Sequence, residues 1–306
     1  MGRRERITGI IAALAAVGAL VATAPIAQAE PAPPPAPNIL DPSPPGSNDW
    51  SCRPSEAHPN PVVLVHGLSA NQANNWGYVA PQLAGAGYCV FSLTYGVNGP
   101  PTVGGLARME RSASELAAFV DRVRDTTGAD KVDIVGHSEG SLMPDYYVKF
   151  LGGDEAVDRY VGMTPLWDGT ETAGLALLNR TGQQFGLDPV LRASLDPLCG
   201  SCRQFLRGSP FLDKLNAGGG PAVDGVTYTM ILTRYDELVV PYTSGVLDGA
   251  TNIVLQDGCP TDLAEHVAVA FDPVTLQHIR NALDPEHAQP VRCTPVGPEA
   301  PTATAA

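Results

Sequence analysis

Positive charge is scarce in this sequence. Lys and Arg together number 19 against 32 Asp and Glu, a formal net charge of −13 over 306 residues. Nucleic acid and anionic membranes bind through surplus cations, so neither is expected as a partner. Internal repeats are absent, which removes solenoids and propellers. The one C-x-x-C, Cys199-Gly200-Ser201-Cys202, lacks a second C-x-x-C and a nearby His pair, so structural zinc is a weak reading. A long apolar run occurs once, over residues 7–26. Arg3, Arg4 and Arg6 precede it and Ala27-Gln28-Ala29 follows, which predicts a secretory signal peptide over residues 1–29, cut between Ala29 and Glu30. A membrane anchor is the competing reading, because the run is nearly long enough to span. The Ala-rich composition and Pro-rich sequel favour cleavage, and hence a secreted protein.

Proline is dense over residues 31–46, so residues 30–49 read as an extended linker, and residues 294–306 as a flexible tail. Between them, residues 50–293 are one domain's worth of chain, long enough for a sizeable core. The six cysteines all fall after the signal, and an even number in an exported chain implies disulfides. We assign Cys52–Cys89, tying the segment before the first strand to the second strand; Cys199–Cys202, a local bridge; and Cys259–Cys293, a staple for the C-terminal segment.

The centre of the sequence is KVDIVGHSEG, residues 131–140. Val132, Ile134 and Val135 form the short β-branched run of a strand buried on both faces. It ends in Gly136-His137-Ser138-Glu139-Gly140, a G-x-S-x-G, and a helix-like segment follows over residues 141–150, with Leu142, Tyr146 and Phe150 on one face. Strand, Gly-flanked turn and helix are the context of a nucleophile elbow. Side chains at 136 or 140 would collide with the neighbouring strand or helix. The helix N-terminus aims N–H groups and its positive dipole end at Ser138, where an oxyanion would develop. A chance match among 32 glycines is the alternative, and the context weighs against it.

Other apolar runs read as strands at residues 61–66 (PVVLVH), 89–95 (CVFSLTY), 159–164 (RYVGMT), 226–233 (VTYTMILT) and 252–255 (NIVL). Helices are expected near residues 76–86 and over 106–126, where Leu106, Met109, Ala113, Leu116, Val120 and Val123 keep helical spacing. The last helix opens with Asp272 as N-cap and Pro273 at its first position and runs through Leu283. This alternation predicts an α/β fold, a mostly parallel central sheet with helices on both faces. Residues 165–220 break the pattern and read as a cap or lid insertion.

A serine nucleophile needs a base and an orienting acid, in the chain order Ser, acid, His. Of His266, His278 and His287, only His266 lies in a loop between the last strand and the last helix, and we take it as the base. The acid belongs just past a strand's C-terminal end. Asp236 fits, with Glu237 beside it and Asp257, after NIVLQ, as alternatives. The oxyanion donors are expected to be the Glu139 N–H and one from the loop after the first strand, Leu68 or alternatively Ser69.

Several motifs in order then resemble a family: VVLVHGL, GHSEG with SLMPDYYVKFLGG, CRQFLRGSPFLDKLN, TRYDELVVPYTSG and EHVAVAFDP. Over residues 52–293 the chain resembles the secreted class 2 lipases of actinobacteria, α/β-hydrolase esterases and triacylglycerol lipases. The resemblance implies Ser138 as nucleophile, Asp236 as acid, His266 as base, Leu68 and Glu139 as oxyanion donors, and no cofactor. The expected partners are a lipid or small-ester substrate and a transient lipid interface, with the protein a monomer. The rivals are an acyltransferase or polyester hydrolase using the same residues, and a non-catalytic binding protein. Leu166, Trp167, Leu175, Leu177 and Leu178 either hold acyl chains or pack the cap against the sheet. The chain departs from the family at Glu139, Ser141, Asp145 and Trp167-Asp168. Added acidity at the elbow leads to the expectation that Glu139→Gln extends activity to lower pH.

Overall fold

Six parallel strands, β1 (Val62–Val65), β2 (Val90–Leu93), β3 (Val132–His137), β4 (Val157–Met163), β5 (Thr227–Leu232) and β6 (Thr251–Val254), form one sheet in the order β2-β1-β3-β4-β5-β6. The computed structural model describes residues 41–172, 175–184 and 188–299. The predicted signal peptide, residues 30–40 of the predicted linker and residues 300–306 of the predicted tail lie outside the described residues. Continuous apolar strands arise because both sheet faces are covered. In β1, Val62 and Leu64 enter one core and Val63 and Val65 the other, and all four are buried.

The helices are α1 (Gln72–Trp76), α2 (Val79–Gly85), α3 (Met109–Thr127), α4 (Met143–Phe150), α5 (Leu175–Gln184), α6 (Asp188–Cys199), α7 (Pro210–Asn216), α8 (Leu255–Gly258) and α9 (Pro273–Leu283). One core packs α3, α4 and α7 on the sheet, and the other packs α1, α2, α8 and α9. In α3, Met109, Ala113, Leu116, Val120 and Val123 face inward, and Gly128 ends the helix at φ +76°, its N–H on Arg124 O. The helix starts at Met109 rather than Leu106, because the N–H groups of Leu106 and Ala107 bond Gly96 O. The last helix opens as the sequence indicates, with the Asp272 side chain accepting from Val274 and Thr275 N.

Three expectations need correction. The helix after the elbow begins as a 3₁₀ turn, Ser138–Ser141, before α4. Its tighter winding shifts the register, so Met143, Pro144, Asp145, Tyr147 and Val148 face inward, while Phe150 is exposed beside Tyr146. The linker does not run to residue 49. Ser47 bridges Val90, Asn48 N donates to Val90 O at 2.9 Å, and Asp41 accepts from Thr94 Oγ1, so residues 41–49 cover edge strand β2. Nor is the tail free from residue 294. Leu263 N donates to Val296 O and Glu265 N to Pro298 O, a strap along the loop that carries His266. Disulfides join Cys52 to Cys89, Cys199 to Cys202 and Cys259 to Cys293.

The insertion between β4 and β5 carries α5, α6 and α7. Trp167 at its start is buried, its Nε1–H on Met230 Sδ at 3.3 Å, so this residue packs the insertion onto the sheet. Leu166 instead lines a cavity, Leu177 is exposed, and the side chains of Leu175 and Leu178 lie outside the described residues.

Candidate active site

The elbow stands where β3 ends. Ser138 has φ +56°, a left-handed conformation uncommon outside glycine. The flanking glycines allow it. A Cβ on Gly136 would lie 1.9 Å from Gly140 O, and one on Gly140 would lie 2.1 Å from Val65 O. The elbow is thus pressed against β1, which also delivers the loop Gly67-Leu68.

The structure brings three distant side chains together. His266 Nε2 lies 2.8 Å from Ser138 Oγ, and Nδ1 lies 2.9 Å from each Asp236 carboxyl oxygen. A carboxylate only accepts, so Nδ1 carries the imidazole proton and the Nε2 lone pair faces the serine. Asp236 is held by the N–H groups of Leu238 and Val239, both on Oδ1, at 3.0 and 2.7 Å. The His266 and Asp236 side chains are almost wholly buried, which strengthens their interaction.

The alternatives sit elsewhere. Glu237 Oε2 accepts from the His266 backbone N–H at 3.4 Å, not from the ring. Asp257 pairs with Arg234 on the surface. His278 is on α9, and His287 pairs with Asp284. Ser69 N–H is engaged by Gly104 O at 3.0 Å and Gly67 N–H by Asn75 Oδ1, which leaves Leu68 as the loop's candidate donor.

Supporting residues carry no signal in the sequence. His137 can place its one ring proton on Nε2, 2.9 Å from His266 O, and its Nδ1 packs 3.0 Å from the side chain of Asn75, whose Oδ1 accepts from Gly67 N. Burial pushes its pKa down to about 3, which keeps the ring neutral. Gln256 accepts from Arg234 N and donates to Thr233 Oγ1 and Asp262 O, clamping the acid loop to the histidine loop. His66, which precedes the serine, stacks on Tyr95 with its Nδ1 against Gly67 O, and burial takes its pKa down to about 4. Each depends on segments far apart in the chain, which local spacing cannot reveal.

A cavity of about 640 Å³ opens over Ser138. Leu166, Phe205 and Leu206 of the insertion, with Leu238, Val267 and Phe271 from the loops after β5 and β6, make its wall mostly apolar. Glu139 lines this pocket, and its buried carboxyl is pushed up to about 8 by burial. A carboxyl so raised is neutral in acid, so Glu139→Gln would remove no charge there, contrary to the expectation from sequence.

Residues 59–278 match the model of the lipase (class 2) family. The chain belongs to the class 2 lipase family. Its fold is similar to that of lipase B from Aspergillus fumigatus (TM-score 0.59, 20% identity, 84% of this chain and 64% of that one). It is also similar to the mature form of lipase BlEst2 from Bacillus licheniformis (TM-score 0.57, 17% identity, 76% of this chain and 94% of that one). This class 2 lipase chain therefore has the α/β-hydrolase fold, while spanning less than two thirds of the Aspergillus protein.

Proposed function

We propose that this protein is a secreted serine carboxylic-ester hydrolase acting on lipid or other acyl esters through Ser138, His266 and Asp236. The observation that carries the reading is the continuous bond chain from the Asp236 carboxylate through both His266 ring nitrogens to Ser138 Oγ. His266 takes the Ser138 proton as Oγ attacks the ester carbonyl, and the imidazolium is stabilised by Asp236. The tetrahedral oxyanion rests on the N–H groups of Glu139 and Leu68, each contributing about 3 kcal/mol to the transition state. His266 then protonates the leaving alcohol, an acyl-enzyme remains on Ser138, and water, activated by the same base, releases the acid.

The apolar cavity supports an acyl chain as the group held, and no observation favours a different acceptor over water. Leu238 and Val267 line the cavity and are each 45% exposed, which supports transient contact of the pocket's rim with a lipid surface. We read residues 41–299 as the catalytic domain with its cap over 165–220, working as a monomer. The three disulfides support export into an oxidising compartment.

The test is hydrolysis of p-nitrophenyl esters of increasing chain length by wild type and Ser138→Ala. Activity in the wild type should vanish in the variant, and its persistence onto long, micellar chains would make the protein a lipase rather than a short-chain esterase. Equal activity in both proteins, or none in either, would sink the triad.

A further inference from the structure

Glu139 follows the nucleophile, and its side chain is buried against the pocket. Its Oε1 lies 3.4 Å from the Tyr95 hydroxyl, and the Ser201 hydroxyl, from the Cys199–Cys202 loop, faces the same carboxyl. A Cβ on Gly105 would stand 3.5 Å from Oε1 and 3.1 Å from Leu68 Cα. The carboxyl is therefore walled by the loop after β2 and by the base of the insertion, with Gly105 between it and Leu68.

The protons of this wall are already committed. Tyr95 donates its one hydroxyl hydrogen to His66 O at 2.8 Å, and Ser201 donates its own to Gly105 O at 2.6 Å. Both hydroxyls can still accept, and neither has a hydrogen left for a carboxylate. Oε2 has no hydrogen-bond partner among the described residues. No charged group among them acts on the carboxyl. Tyr95 is held protonated by burial, the His66 and His137 rings are kept neutral, and the cystine does not titrate. The remaining titratable neighbour is His266, bonded to Ser138 next to Glu139 in the chain. A buried carboxylate with neither donor nor cation costs several kcal/mol, whereas the acid has acceptors waiting.

We propose that the Glu139 side chain is a positioning residue, a neutral carboxylic acid whose proton is held among the hydroxyls of Tyr95, itself bonded to His66 O at the root of the oxyanion loop, and Ser201, at the base of the insertion, and that its ionisation shuts hydrolysis down. The inference rests on the ester-hydrolase reading. Ionisation removes the one donor this wall has to share. It also places a negative charge on a wall of the same cavity as Ser138, where the oxyanion is to form, and like charges in a low-dielectric site repel strongly.

The experiment is the pH dependence of kcat, which reports groups in the substrate complex, paired with infrared spectroscopy of the protonated-carboxyl band. Burial pushes the carboxyl up to about 8 even were the Ser201 and Tyr95 hydroxyls to donate to it, so with their hydrogens committed elsewhere wild-type kcat should fall about tenfold above that value. Glu139→Gln, whose amide N–H replaces the acid O–H, should fall less than about twofold over the same range. In the wild-type minus Glu139→Gln difference spectrum, where the bands of Asp133, Asp145 and Asp262 cancel, a carboxyl C=O band present at about pH 6 should be absent at about pH 10. An unchanged alkaline limb in Glu139→Gln, or no band assignable to Glu139 at about pH 6, would overturn the proposal.

Tyr95→Phe gives a second test by sign, independent of whether Glu139→Gln folds. Removing an acceptor of the acid's proton should move the alkaline midpoint to lower pH. A move to higher pH would mean that Tyr95 donates to a carboxylate, which the proposal forbids. A protein with the band but no ester hydrolysis would overturn the functional reading instead, leaving the buried acid in place.

Discussion

His266 has one ring proton to place, and the Asp236 carboxylate at 2.9 Å decides where. Asparagine at 236 would offer its amide N–H in place of an acceptor and turn the imidazole over, so that Nε2 no longer accepts the serine proton. Asp236→Asn is expected to lower kcat by about 10⁴-fold. Asp257→Asn, which removes only a surface partner of Arg234, should stay within about twofold of wild type. Steady-state kinetics on one soluble ester compares them, and equal losses would move the acid to Asp257. The sequence left these two carboxyls open because each follows a strand, and strand-end position is all that local spacing reports.

The elbow works because β3, the 3₁₀ turn and β1 are packed backbone against backbone. A methyl group on Gly140 would meet Val65 O at 2.1 Å and His66 O at 2.4 Å, and β1 cannot retreat because β2 and β3 bond both its sides. Gly140→Ala is expected to cost about 4 kcal/mol or more, or to prevent folding. Gly249, at φ +80° with open space around it, should cost only about 1–2 kcal/mol on the same change. Denaturant titration of both variants checks this; similar midpoints would show that the elbow can open to admit a side chain. The insertion is pinned in a comparable way. Gly200 N–H bonds Leu106 O and Met109 N–H bonds Gln204 Oε1, so its base is fastened to the start of α3.

Four buried carboxyls set how the whole molecule responds to pH. Burial raises Asp133 and Asp145 to about 7, Glu139 to about 8 and Asp262 to about 6. Each keeps its proton in the folded state at pH values where the unfolded chain, near pKa 4, has released it. Their stabilisation is therefore complete below about pH 4 and is lost as pH rises toward the folded values. His66 and His137, lowered to about 4 and about 3, act oppositely, destabilising as pH falls below about 6.5. Above that point the carboxyls act unopposed. The melting temperature should be higher at about pH 6.5 than at about pH 8.5, and Asp145→Asn should flatten the difference. Calorimetry at the two pH values decides, and equal or reversed melting temperatures would refute it.

Local spacing was enough for the strands, the Gly-flanked serine and the Asp272-Pro273 helix start. A doubly covered parallel sheet demands apolar residues at consecutive positions, and a tight turn or a cap involves only near neighbours in the chain. Tertiary contact alone decided that Asp236 and not Asp257 faces His266, that Ser69 N–H is taken by Gly104, and that residues 41–49 and 294–299 pack on the domain. It also reversed the meaning of Glu139, which in the sequence is an added charge and in the fold is a buried acid. Charge state follows from desolvation and from hydroxyl protons committed elsewhere, and both are supplied by residues that meet only when the chain is folded.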